Sequence, residues 1–126
     1  SRGIEIVDTF GFEFADEIIP AADAVMSMSS TLSLHACFLR IPSVSILLPE
    51  QGRAMLKTIR LDDFPPNLTG ASAGVYENDP EEFKKLFETI FTDHAFRTRM
   101  REAQEKNFPL DGGAAERVAE VVRKFL

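Results

Sequence analysis

Residues 22–50, "ADAVMSMSSTLSLHACFLRIPSVSILLPE", carry the pattern from which the architecture follows. Two short apolar runs, Ala24–Met28 and Val44–Leu48, flank a segment from Ser30 to Arg40. Both runs are too short for helices and are continuously apolar, so they read as strands buried on both faces. The segment between them is apolar nearly all round, which predicts a helix packed between neighbours. Ile41-Pro42 ends it, because the residue before a proline disfavours helical geometry. Strand, helix and strand in this order predict an α/β domain with a parallel sheet.

Working outward, "IEIVD" at Ile4–Asp8 reads as a further strand and Phe12–Ala21 as a helix. Ala73–Tyr76 is expected as a fourth strand. Between them, "QGRAMLKTIR" fits a helix or an ordered loop, and "LDDFPPNLTGASAG" has the Pro, Asn and Gly of an irregular connection. Three helices close the chain. In "NDPEEFKKLFETIF", Asp79 caps, Pro80 suits the first helical position, and Glu82 completes a capping-box spacing. Phe83, Leu86, Phe87, Ile90 and Phe91 form its apolar stripe. "DHAFRTRMREAQEKN" carries Phe96, Met100 and Ala103 on one face. "DGGAAERVAEVVRKFL", with Asp111 as its natural N-cap, is expected to bury Ala115, Val118, Ala119, Val122 and Phe125. The expected whole is a Rossmann-like three-layer domain with a short parallel sheet.

Composition narrows the function. A chain of 126 residues suits one domain, and 44% hydrophobic with 27% charged residues makes it globular. A net charge of −6 argues against nucleic acid, whose phosphates need clustered Lys and Arg. The one cysteine, Cys37, has no partner for an internal disulfide and reads as core filler in a reducing, cytoplasmic compartment. No apolar run approaches the ~20 residues of a membrane-spanning helix. Eleven Phe, one Tyr and no Trp speak against a module that stacks sugars on exposed rings. The opening "SRGIEIVDTF" lacks a methionine, so the domain is expected to be a piece of a longer two-domain protein.

In parallel sheets, ligands bind beyond the carboxyl ends of the strands. That rule sets Ser29–Thr31, Pro49–Arg53 and the loop before Tyr76 along one rim. Ser29, Ser30 and Thr31 open a helix whose first N–H groups and dipole favour an anion, and their hydroxyls add donors. The plainer alternative is that Ser29 or Ser30 only caps the helix. Arg53, Lys57 and Arg60 lie at i, i+4 and i+7, a stripe suited to a diphosphate or to peripheral contact with an anionic lipid surface, if the stretch is helical. A solvated helix face is the alternative. Asp62-Asp63 lacks a third ligand at suitable spacing, so no metal is expected. His94 reads as a surface residue. GxxxxGK[ST], GxGxxG, CxxC and HExxH are all missing, and no cofactor is expected.

The segment "ADAVMSMSSTLSLHACFLRIPSVSILL" resembles the nucleotide-binding half of GT-B glycosyltransferases and the related nucleotide-sugar 2-epimerases, whose pattern reads roughly "aD.vis.SGT.tlEAa..G.P.v". It is most similar to the lipid-A-disaccharide synthases, where S-G-T-A-T-L-E-A lies over Ser29-Ser30-Thr31-Leu32-Ser33-Leu34-His35-Ala36. "FPPNLTGASAGVYE" is similar to that family's "lpNLlag..vvPE", and "DGGAAERVAEVV" to the superfamily's C-terminal helix. The resemblance implies the C-terminal half of a GT-B architecture, with Ser29, Ser30 and Thr31 on the pyrophosphate of a nucleotide sugar, a UDP-sugar first, and Arg53 assisting. His35 stands where the family has a ribose-binding glutamate. Residues 66–70, with Asn67 and Gly70, would border the base or sugar. No catalytic residue is assigned to this chain, since the N-terminal domain would supply the acceptor side. Two alternatives stand beside transfer: epimerization of a nucleotide sugar, and an α/β interaction domain that has lost its nucleotide. The His35 departure favours the latter.

Overall fold

The computed structural model describes residues 17–28 and 30–126. Three short parallel strands form its sheet: β1 (Val25–Ser27), β2 (Ser43–Ile46) and β3 (Ala73–Val75), in the order β1-β2-β3. Val25 pairs with Ser43 and Ser27 with Ser45; Val44 pairs with Ala73 and Ile46 with Val75. The connections are α1 (Thr31–Phe38) between β1 and β2, and the pair α2 (Ala54–Thr58) and α3 (Pro65–Leu68) between β2 and β3. Helices α4 (Pro80–Thr92), α5 (His94–Asn107) and α6 (Ala114–Arg123) follow. The α/β class and the parallel sheet are therefore as the sequence predicts. The strand expected at Ile4–Asp8 lies outside the described residues.

The sheet has two different faces because side chains alternate along each strand. Val44 and Val75 point one way, where they meet Ile90 of α4 and are flanked by Phe83, Leu86 and Phe96. Each such side chain, when fully buried, contributes roughly 1.5–3 kcal/mol. The other face carries small residues: Ser43 and Ser45 on β2, with Ser27 and Gly74 level with Ser45. Small side chains let α1 lie close, and its Ser33, Ala36 and Cys37 are fully buried there. Cys37 is thus core, as composition suggests, and its thiol donates to the Ala71 carbonyl at 3.4 Å.

Two polar side chains pin the amino edge of this sheet. Gln104 of α5 is 1% exposed and donates from Nε2 to the carbonyls of Ile41 (2.9 Å) and Ala71 (3.0 Å), just ahead of β2 and β3. Arg40, in the left-handed conformation at φ 62°, donates to the carbonyls of Cys37, Gln104 and Phe108. It therefore satisfies the open carbonyl ends of α1 and α5 together.

Several expectations are corrected. Of the helix expected at Phe12–Ala21, residues 12–16 lie outside the described residues, and its end, Ile19–Ala21, is a 3₁₀ turn with Pro20 in its first turn. "LDDFPPNLTG" holds the single turn α3, entered through Pro65. Asp79 caps α4 as expected, with Oδ1 accepting from Glu81 N–H at 2.9 Å. Asp111 is not the N-cap of α6; that position is Gly113, whose N–H donates to Asp111 while Arg117 pairs with the same carboxylate. The stripe of α6 is not buried either: Val118 is 63% exposed and Phe125 86%. In α4, Phe87 and Phe91 are exposed, Phe87 stacking on Phe83 and meeting Phe91 at a tilt, so only the Ile90 side of the stripe reaches the sheet.

Candidate functional site

Each strand of a parallel sheet releases its chain at the carboxyl edge, so the segments after β1, β2 and β3 come to one rim. After β1 stands the mouth of α1. Ser30 is the N-cap, its Oγ accepting from Leu32 N–H at 3.2 Å, while Ser33 N–H donates to the Ser30 carbonyl. The capping role is therefore real. It uses one lone pair of Ser30 and leaves its hydroxyl hydrogen to donate. The Thr31 amide and hydroxyl have no partner among the described residues, and Thr31 is exposed. Ser29 lies outside the described residues. Below the mouth, Ser27 Oγ and Ser33 Oγ share a 2.6 Å hydrogen bond that ties β1 to α1.

His35 is one helical turn from Thr31, and both lie on the exposed face of α1 opposite Ser33, Ala36 and Cys37. A ligand seated at the helix mouth could thus extend toward His35.

After β2 the chain turns through a π-helical turn, Pro49–Arg53, into α2. The turn rests on the strand end: a Cβ at Gly52 would meet the Leu47 Cα at 2.5 Å, so only glycine allows this approach. Arg53 leaves the turn toward β3. Its guanidinium lies 5.7 Å from the Tyr76 ring centroid and 3.6 Å from Glu77, in an exposed pair of small worth. Arg53 and Lys57 line a recess of about 340 Å³ with Pro49, Leu56, Leu61 and Asp62. Arg60 does not join them, because the helix has ended at Thr58 and Arg60 is in the left-handed region at φ 58°.

After β3 comes Tyr76, whose ring folds back over Gly74 where a Cβ would collide with it. Its hydroxyl donates to Asp63 Oδ2, and Asn67 Nδ2 donates to Asp63 Oδ1 at 3.1 Å and lies 3.4 Å from the Tyr76 hydroxyl. Asp63 also accepts from Phe64 N–H at 2.7 Å, so its carboxylate organises the entry to α3. Burial, and then donation to the negative Asp63, push the Tyr76 phenol up to about 12. Residues reasoning from sequence overlooked are therefore Tyr76 and Asp63 as a pair. The available signal was the lone tyrosine two residues beyond a strand glycine.

Ser45 Oγ and Asn67 Oδ1, both buried, have no hydrogen-bond partner among the described residues. Asn67 reaches the carboxyl rim through Tyr76. Gly70 does not: at φ 76° it turns the chain ahead of β3, and a Cβ there would sit 3.9 Å from Ala103 of α5. Ser30, Thr31, Arg53 and Asn67 are thus brought to one rim, and Gly70 stands at the opposite edge.

No protein-family model matches the chain, and no characterised protein matches its sequence at a significant level. No helix among the described residues is long and apolar enough to cross a membrane.

Proposed function

We propose that this chain is the donor-binding half of a GT-B-type glycosyltransferase, holding the diphosphate of a nucleotide sugar at the mouth of α1. The observation that carries the reading is the Thr31 amide and hydroxyl, without a partner among the described residues, at a helix N-terminus on the carboxyl rim of a parallel sheet. Two amide or hydroxyl donors at Ser30 and Thr31 meet one phosphate, and Arg53 swings from its weak pair with Glu77 to meet the other. His35 donates or accepts one bond to the ribose, on the same face of α1. Chemistry proper belongs to an acceptor-binding domain across the cleft, so the chain alone binds without turnover. The likeness of "SSTLSLHA" to the family motif supports this assignment, as does the sheet order.

A second reading, an interaction domain that has lost its nucleotide, is favoured by the His35 replacement and by Ser30 serving as a cap. Thermal unfolding with UDP, GDP and CDP separates the two. A diphosphate at 100 times its dissociation constant adds about 2.7 kcal/mol to stability. Thr31→Ala is expected to weaken that stabilisation and leave the ligand-free midpoint unchanged. Ser30→Ala is expected to lower both, the intrinsic loss being about 1 kcal/mol for a helix cap. No midpoint shift with any nucleotide diphosphate at millimolar concentration would eliminate the donor-binding reading.

A further inference from the structure

The sheet edge opposite this rim carries a second concave site. A recess of about 330 Å³ opens there, and its lining includes Asp23, Arg40, His94, Arg97, Arg101 and Gln104. His94, Arg97 and Arg101 follow at i, i+3 and i+7 and so occupy one face of α5. Arg40 approaches from the end of α1 and is fixed in place: Nη1 donates to the Cys37 carbonyl at 2.9 Å and the Gln104 carbonyl at 3.0 Å, and Nη2 to the Phe108 carbonyl at 3.0 Å. A guanidinium has five N–H donors, so two remain for another acceptor. Arg97 has no ion pair among the described residues, and Arg101 has only the exposed contact to Glu105 at 3.3 Å.

Three arginines therefore line one recess whose lining, among the described residues, has one carboxylate, Asp23, with Glu105 beside Arg101, in a chain whose net charge is −6. Carbonyls at two helix ends hold Arg40 and Glu105 touches Arg101, which leaves two N–H groups of Arg40 and the whole Arg97 guanidinium to meet an anion in the recess. We propose that this recess binds a phosphate group, carried by inorganic phosphate or by a small phosphomonoester. A phosphate matches the recess better than a carboxylate because three acceptor oxygens and up to two negative charges can engage Arg40, Arg97 and Arg101 together. The site is separate from the nucleotide rim: Arg40 and Gln104 lie at the amino ends of β2 and β3, and the mouth of α1 lies at the carboxyl end of β1.

The test follows the arginine side-chain resonances of the whole chain by NMR at constant ionic strength. Inorganic phosphate and glycerol phosphate are titrated in parallel, with acetate as the carboxylate control. Saturable shifts of Arg40, Arg97 and Arg101 are expected with the phosphates and not with acetate. Equal affinity for the two phosphates identifies the bare group as the ligand; tighter glycerol phosphate identifies an ester. Arg97→Gln with Arg101→Gln is expected to weaken binding at least about tenfold per lost charged bond while the amide spectrum is retained. Lys84→Gln with Lys85→Gln, on the exposed side of α4, is expected to leave it unchanged. Should the double arginine variant fail to fold, Arg97→Gln alone, exposed and outside any ion pair among the described residues, makes the same comparison. Shifts that grow linearly with salt, that acetate reproduces, that survive the arginine substitutions, or that appear only around residues 30–35 would overturn the site.

Discussion

Replacing Asp63 by Asn tests the rim at its most sharply defined contact. The Tyr76 phenol is pushed up to about 12 from its ordinary 10.0. The largest cause is burial, which disfavours the phenolate; the hydrogen bond to Asp63 and the negative charge of Asp63 act the same way, while Asn67 and Arg53 oppose them. A folded value above the unfolded one means that the protonated phenol stabilises the native state. The contribution is complete below pH 10 and is lost as pH rises from about 10 to about 12. Two pH units correspond to at most about 2.7 kcal/mol, and solvent screening of a half-buried ring reduces this to about 1 kcal/mol.

Asp63→Asn keeps an acceptor and removes the charge, leaving burial and a weaker, neutral hydrogen bond to raise the phenol. The Tyr76 midpoint is expected to fall by about one pH unit and to stop above the ordinary value. Tyr76 is the only tyrosine, and there is no tryptophan, so phenolate absorbance reports this one group without deconvolution. Circular dichroism at each pH confirms that the chain is still folded. A wild-type midpoint at the ordinary value, or an Asp63→Asn midpoint that stays at about 12, would refute the assignment of Asp63 as the partner that holds Tyr76 over Gly74.

Gln104→Leu is expected to cost about 1–3 kcal/mol in urea unfolding with an unchanged slope, because it strands the buried Ile41 carbonyl and leaves Ala71 only the weak Cys37 thiol donor; a loss below about 0.5 kcal/mol would contradict this. Burial pushes the Cys37 thiol up to about 11, with Gln104 and Arg40 opposing, so the neutral thiol is the native form and its contribution is lost as pH rises from 9.0 through about 11. Thiol reagents are accordingly expected to modify Cys37 only at the rate of global unfolding, and native-state labelling as fast as that of an unfolded control would refute its burial.

Much of the fold is legible along the chain because its signals are local. The runs around Val25–Ser27 and Ser43–Ile46, the helix between them and the Asp79-Pro80 start of α4 are each specified within a few residues. The helix mouth at Ser30 and Thr31 and the placing of Arg53 on the same rim follow from strand order alone. Two features that look alike in sequence diverge in the structure. The stripes of α4 and α6 have the same helical spacing, yet Ile90 is 1% exposed and Val118 63%, because periodicity says which face is apolar and not what meets it. Arg53 and Arg60 share a register that only a continuous helix would honour, and the left-handed turn at Arg60 breaks it.

The parallel α/β scheme, the order of its elements and the hydroxyl-rich turn are written in the chain, since short-range periodicity, proline and capping chemistry act between near neighbours. Long-range packing is what fastens the amino edge through Arg40 and Gln104, folds Tyr76 onto Asp63 and sets Gly70 away from the rim. Gln104 and Ile41 lie 63 residues apart, and no local pattern marks a polar side chain whose partners are carbonyls brought to it by folding.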